Sequence, residues 1–230
     1  MFDRFLPLDF QRRRLLARTP TGPMHDYLSR PFPASGSDSR KLPMVAIDLE
    51  TTGLNPQRDE IISIGLVCLN GLSIDLGSSW YCLLRPSREM PEQSAVIHAI
   101  TDDEAAKGVS LEQAMRELLP RLVGRVMIAH HARFEMQFLS RACQRLYGVA
   151  FLSPVVDTLT LAKDWLERRD RVYAAKSLRL AALREHYHLP RYQAHNALSD
   201  ALAAAELYLA QIAQRDDGQP IALKRLLYRQ

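Results

Sequence analysis

The stretch Met44-Val45-Ala46-Ile47-Asp48-Leu49-Glu50-Thr51-Thr52-Gly53 sets an acid inside an apolar run of strand character. Side chains alternate along a strand, so Asp48 and Glu50 share one face and two like charges converge at the strand's end. Burying such a pair without compensation costs on the order of several kcal/mol and drives one carboxyl to keep its proton. A bound cation removes the conflict. The plainer alternative is that Asp48 begins a turn, helped by Thr51-Thr52-Gly53, and the stretch alone leaves both open.

Outward from this run, Ile61 to Leu69 and Trp80 to Leu84 read as further strands. The turn signals Gly53-Leu54-Asn55-Pro56 and Asn70-Gly71 lie between them, which predicts an antiparallel meander. Thr101 with Glu104, and Ser110 with Gln113, have capping-box spacing, and Leu111, Met115, Leu118, Leu119 and Leu122 follow at helical spacing. Val126 to Ala129 reads as a buried strand leading into a helix over 132–147, and Val155 with Val156 as a short fifth strand. Further helices are expected over 158–167, 178–186 and 196–213. Three strands followed by strands alternating with helices predict an α/β fold, a mixed five-stranded sheet flanked by helices.

With 230 residues, 47% of them hydrophobic and 24% charged, the composition is that of an ordinary globular protein with a real core. No apolar run approaches the roughly 20 residues needed to span a bilayer, and the N-terminus lacks the apolar core of a secretory signal, so a cytoplasmic location without membrane contact is expected. Cys68, Cys82 and Cys143 are odd in number and far apart, as reduced core residues are. Residues 1–42 contain eight Arg or Lys against four acids and account for the whole net charge of +4. This segment also carries Pro7, Pro20, Pro23, Pro31 and Pro33, so it reads as a basic arm with one short helix near Asp9 to Ala17. The expected organisation is this arm, a domain over 43–213, and a short basic tail over 214–230. Overall charge neither supports nor excludes a nucleic-acid substrate, because cations held in a carboxylate-rich centre neutralise phosphate as well as lysines do.

Two more sites carry acids. Glu135 sits in the first turn of the helix after Val126 to Ala129 and heads the apolar stripe Leu139, Ala142 and Leu146, which places it inward. The competing reading is a charge that favours the helix N-terminus. Asp200 lies in the first turn of the last long helix, five residues after His195. If both were helical they would point about 140° apart, so they converge only if His195 precedes the helix, with Asn196 as N-cap. A loop histidine near its natural pKa suits a base working near neutral pH, although a lone histidine there is more often a surface residue.

Order and spacing together resemble the DEDDh exonuclease superfamily, which includes polymerase proofreading subunits and RNase T. Asp48-Leu49-Glu50-Thr51-Thr52-Gly53 is similar to its first motif, Ala129 to Leu139 to its second, and His195-Asn196-Ala197-Leu198-Ser199-Asp200 to its third. Val96-Ile97-His98-Ala99-Ile100-Thr101, Val156-Asp157-Thr158-Leu159 and Lys176-Ser177-Leu178 are also familiar from it. In the second motif Glu135 replaces the usual Asp and His131 the usual Asn. The resemblance implies an RNase H-like fold and a 3′-to-5′ exonuclease using two divalent cations, Mg²⁺ or Mn²⁺. Asp48, Glu50, Glu135 and Asp200 would be the metal ligands and His195 the base. Thr51, Thr52, Gly53 and His98 are candidates for contact with the terminal nucleotide; a turn glycine and a cap are the plainer readings of Gly53 and His98.

The implied partners are nucleic-acid 3′ ends, with single-stranded DNA favoured and RNA possible, and the N-terminal arm is a possible site for a protein partner. An RNA-directed exonuclease is the alternative within this chemistry. A non-catalytic binding or assembly module on the same fold is the alternative outside it, opposed by five ionisable residues in motif positions.

Overall fold

In a computed structural model of the chain, the described residues are 6–88, 100–192 and 196–228. The strands are β1 (Pro43–Thr51), β2 (Ile61–Asn70), β3 (Ser73–Leu83), β4 (Val126–Ala129) and β5 (Val155–Asp157). Around them stand helices α1 (Leu8–Leu16), α2 (Pro23–Ser29), α3 (Asp102–Ala105), α4 (Leu111–Leu122), α5 (Arg133–Tyr147), α6 (Thr158–Glu167), α7 (Leu180–His186) and α8 (Ala197–Arg215).

The sheet order is β3-β2-β1-β4-β5. The first three strands are antiparallel, and β4 and β5 add to β1 in parallel, so the sheet is mixed, as expected. β3 is longer than its apolar pattern indicates, because Asp75, Gly77 and Ser78 conceal its first half. The turn supplies what the pattern lacks. Gly71 takes φ +63° and pairs Asn70 with Ser73, and the hydroxyl of Ser78 accepts the Cys68 N–H at 2.8 Å where the register shifts.

Alternation along β1 divides the core. Val45, Ile47 and Leu49 join the cluster that includes Met115, Leu118 and Leu139. Met44 and Ala46 join Ala205, Tyr208 and Ile212 of α8 on the opposite face. Both expected N-terminal caps form: Thr101 and Glu104 exchange hydrogen bonds of 2.9 and 3.2 Å, and the Ser110 hydroxyl accepts from the Gln113 N–H at 3.2 Å.

Gly65 determines how closely α8 lies on the sheet. It pairs with Asp48 across β1 and β2, and a Cβ at this position would overlap the backbone of Ala197 and Leu198. A bare backbone therefore admits the first turn of α8 directly over the end of β1.

The N-terminal segment departs from the expected arm. The short helix predicted near Asp9 is α1, but a second helix follows, begun rather than broken by Pro23. Proline is well placed in a first turn, where its missing N–H has no intrahelical partner to lose. Met24, Tyr27 and Leu28 are buried in the main core cluster. Tyr27 donates a 2.9 Å hydrogen bond to the Leu152 carbonyl and stacks on Phe151 at 5.6 Å. Buried Arg12 bonds to Asp9 at 2.7 Å and to the Leu28 carbonyl, fastening α1 to α2. The C-terminal residues also return to the body: Leu227 bridges to Val156, and Ile221, Leu223 and Leu226 are buried beside α8. Main-chain bonds from Ser39 to Ile221 and from Leu223 to Ser37 join the two ends. Cys68, Cys82 and Cys143 are buried and free. Among the described residues no helix is long and apolar enough to cross a membrane.

Because Tyr27 fills the main core, Tyr27→Ala is expected to cost about 3–5 kcal/mol in urea denaturation, as truncation of a buried aromatic does. A loss below about 1 kcal/mol, the scale of a single net hydrogen bond, would mean that the N-terminal segment is only appended.

Candidate active site

The acids meet where β1 ends. Asp48 and Glu50 follow Met44 and Ala46 on the face toward α8, and the register shifts just after Glu50. Asp200 comes down from the first turn of α8. Asn196 caps that helix as its sequence suggests, accepting the Ser199 N–H at 3.1 Å through its side chain and the Asp200 N–H at 2.9 Å through its carbonyl. Oxygens of Asp48, Glu50 and Asp200 lie within 4.8 Å of one another, with Glu50 buried and the other two half-buried. Such a cluster suits a hard divalent cation, which takes a few carboxylates and completes its shell with water and phosphate oxygens.

Glu135 approaches from α5. β4 pairs with β1 only over Met44 to Ala46, so β1 runs on past the partner strand, and α5 begins four residues after β4 ends. Glu135 is 2% exposed, and its Oε2 has no hydrogen-bond partner among the described residues. Burial raises its pKa well above the usual carboxylate range; its own backbone N–H opposes that shift, and the charges of Asp157 and Glu50 add to it. Asp48 is shifted the same way, first by burial and then by Glu135, Glu50 and Asp200. Glu135 is therefore electrostatically part of the cluster. A plain helix-terminus charge has no need of burial against like charges.

The connection that delivers Glu135 is held by a residue that sequence reading passed over as a strand-to-helix junction. Asp157 is buried and accepts hydrogen bonds from the His131 N–H (2.9 Å), the Leu159 N–H (3.0 Å) and the Thr160 hydroxyl (2.9 Å). It caps α6 and pins the loop ahead of α5 together. The signal available in the sequence was its position, an acid directly before a helix. His131 takes φ +72°, a left-handed conformation in which Asn, Asp and His are enriched. That requirement explains why histidine can stand where the resembling family has asparagine. His130 is a different case: its Nδ1 lies 2.9 Å from the Thr158 hydroxyl, and burial lowers its pKa to about 4, so it is a neutral packing group.

Thr51, Thr52 and Gly53 form the rim after the acids. The Thr51 hydroxyl donates to the Gly53 carbonyl at 2.6 Å, and the Thr52 hydroxyl accepts the Glu60 N–H at 3.0 Å. A Cβ on Gly53 would meet the Asp59 carboxylate, which would have to shift to make room. His195 and His98 lie outside the described residues. Gly65, which admits α8, was missed altogether, since a lone glycine in an apolar strand gives no local sign of which helix crosses it.

Residues 45–208 match the family described as Exonuclease, RNase_T. DNA polymerase III PolC-type from Thermotoga maritima is 36% identical over 165 residues, which are 72% of this chain but only 11% of that much longer protein. DNA polymerase III subunit epsilon from Treponema pallidum is 30% identical over 168 residues, 73% of this chain and 75% of that protein. Among solved structures, the nuclease domain of 3′hExo, a DEDDh family member bound to rAMP, superposes with a TM-score of 0.65 at 17% identity, covering 77% of this chain and 95% of that one. Exonuclease X in complex with 5′ overhanging duplex DNA gives a TM-score of 0.60 at 23% identity, covering 80% and 97%. These two likenesses establish the RNase H-like fold. The family match runs from β1 into α8 and includes every acid of the cluster: the chain belongs to the RNase T-type exonuclease family.

Proposed function

We propose that this chain is a 3′-to-5′ exonuclease that releases nucleoside 5′-monophosphates from single-stranded DNA, and the observation that carries this reading is the cluster of Asp48, Glu50 and Asp200 at the end of β1, with buried Glu135 acting on Asp48. Three carboxylates within reach of one point, and the unpartnered Oε2 of Glu135 beside them, fit two divalent cations, Mg²⁺ or Mn²⁺. Asp48, Glu50 and Asp200 would hold one, and Asp48 would share the other, which Glu135 would serve through water. When bound, the cations offset phosphate charge and lower the pKa of the attacking water. His195, assigned on sequence alone, takes the proton from that water, as a histidine base can near neutral pH. Water oxygen joins the phosphorus as the bond to the 3′-oxygen of the preceding nucleotide breaks, and that oxygen leaves as a hydroxyl with a proton from solvent. Thr51, Thr52 and Gly53 border the terminal nucleotide, and His98 is assigned to the scissile end on sequence alone.

DNA polymerase III relatives favour deoxyribose, whereas the rAMP held by 3′hExo keeps ribose as the competing reading. The deciding assay is stepwise shortening of 5′-labelled single-stranded DNA and RNA of one sequence, with Mg²⁺ and after chelation. DNA is expected to shorten faster, and only with metal. Faster RNA cleavage would reverse the sugar assignment, and no cleavage of either with Mg²⁺ or Mn²⁺ would favour the non-catalytic module. Asp48→Ala, folded by circular dichroism, should lose at least about 10²–10³-fold in turnover, the scale of removing one strong electrostatic element of a site.

Glu135 separates the two readings of its charge. As a metal-site acid, Glu135→Gln lowers turnover by about 10–100-fold, the scale of a disturbed metal environment, and raises the Mg²⁺ needed for half-maximal rate, while Glu135→Asp retains much of the activity. As a helix-terminus charge it would cost at most about 1 kcal/mol of stability and leave turnover alone.

Gly65→Ala tests the seating of Asp200. The added methyl pushes the first turn of α8 away at a stability cost of about 1–3 kcal/mol, and turnover should fall while the protein stays folded. Unchanged turnover would show that the acids tolerate a displaced α8.

A further inference from the structure

A cleft of about 740 Å³ opens at Thr52, and no other residue given a role at the site so far lines it. It begins at Thr52, two residues beyond Glu50, and runs between the β1–β2 connection, the chain after β3, and the outer side of α5. Its floor is apolar, built on buried Ile61, Leu84 and Phe138. Its walls are cationic, with Arg58, Arg85, Arg88, Arg141 and Arg145 all lining it and exposed.

The acids of the cleft are already engaged. An Asp59 oxygen accepts the Asn55 N–H at 2.7 Å. The Glu60 carboxylate accepts the Ser87 N–H at 2.6 Å and its hydroxyl at 2.8 Å, and lies 3.9 Å from Arg145. By contrast the side chains of Arg58, Arg85 and Arg141 make no ion pair among the described residues. Exposed arginines gathered along one cleft make a positive field that attracts a polyanion. Continuity with Thr52, next to the acids, narrows the choice, since single strands are held by cationic grooves that follow the backbone.

We infer that this cleft holds the part of a single strand lying 5′ of the scissile nucleotide, with its phosphates on Arg58, Arg85 and Arg141. The inference deepens the exonuclease reading and rests on it, because the mouth of the cleft at Thr52 adjoins the acids that would receive the 3′ end. Its consequence is a preference for length: a strand of many nucleotides gains contacts that a single nucleotide ester cannot make.

The test compares the full-length wild type with the triple variant Arg58→Gln, Arg85→Gln, Arg141→Gln, in which exposed side chains keep their stems and lose their charge. Kinetics are measured on a single-stranded 20-mer and on the p-nitrophenyl ester of thymidine 5′-monophosphate. For the 20-mer, KM should rise tenfold or more, kcat should stay within twofold, and the slope of log KM against log salt should shrink by about 2, as expected for three lost phosphate contacts on a single strand. The ester should be hydrolysed with unchanged KM and kcat. An unchanged KM and salt slope on the 20-mer would overturn the inference and leave the cleft to another polyanion, such as an acidic protein segment; an equal loss on both substrates would overturn it by placing the damage in the site. Binding of a fluorescent 20-mer by anisotropy without Mg²⁺ keeps the two readings apart. Should the wild type cleave neither substrate, the exonuclease reading falls, yet tenfold weaker binding by the triple variant still supports the cleft and equal binding overturns it.

Discussion

Mutual repulsion among carboxylates held at the end of β1 is the constraint that the rest of the molecule answers. Asp48 and Glu50 come from the strand, Asp200 from α8 and Glu135 from α5. Left in a partly dry site, such charges raise one another's pKa and favour the protonated forms, as the shifts of Asp48 and Glu135 record. Both helices present their first turns to the cluster, and the positive ends of their dipoles offset part of the repulsion. A cation bound there would offset the remainder.

Bringing the four acids together needs backbone devices more than side-chain contacts. Gly65 removes a Cβ that would keep α8 away from the sheet, and thereby sets the height of Asp200 over Asp48. Asp157 collects donors from the β4–α5 connection and from the start of α6, and holds His131 in a left-handed conformation at the point where the chain turns toward Glu135. Neither residue belongs to the three acid-bearing motifs. Each fixes a direction of approach, and small displacements of an approaching helix move a carboxylate by as much as a metal site tolerates.

The chain's two ends serve the same framework from outside. Tyr27 and Leu28 extend the core under the α4–α5 side of the sheet, and Ile221, Leu223 and Leu226 cover the side on which α8 lies. Main-chain bonds between residues 35–39 and 221–224 then tie the segments to each other. Segments that composition describes as a basic arm and a tail are thus held by burial of their few apolar residues, which outweighs the intrinsic preferences of the prolines around them.

Much of this was legible in the sequence, because local rules govern it. Apolar runs and turn signals gave the strands and their mixed sheet, capping residues marked the starts of α3, α4 and α8, and an acid inside an apolar strand located the cluster. Strand alternation put Asp48 and Glu50 on one face, and helical periodicity turned Glu135 inward. What only the tertiary structure decided concerns elements distant in the chain. That Gly65 faces the backbone of Ala197, that Asp157 accepts from His131, and that Tyr27 reaches Leu152 follow from packing between residues 26 to 132 positions apart. No local pattern encodes such pairs. The first half of β3 and all of α2 escaped for the same reason: the pairing partner of one and the core beneath the other override weak propensities, and both partners exist only once the chain has closed on itself.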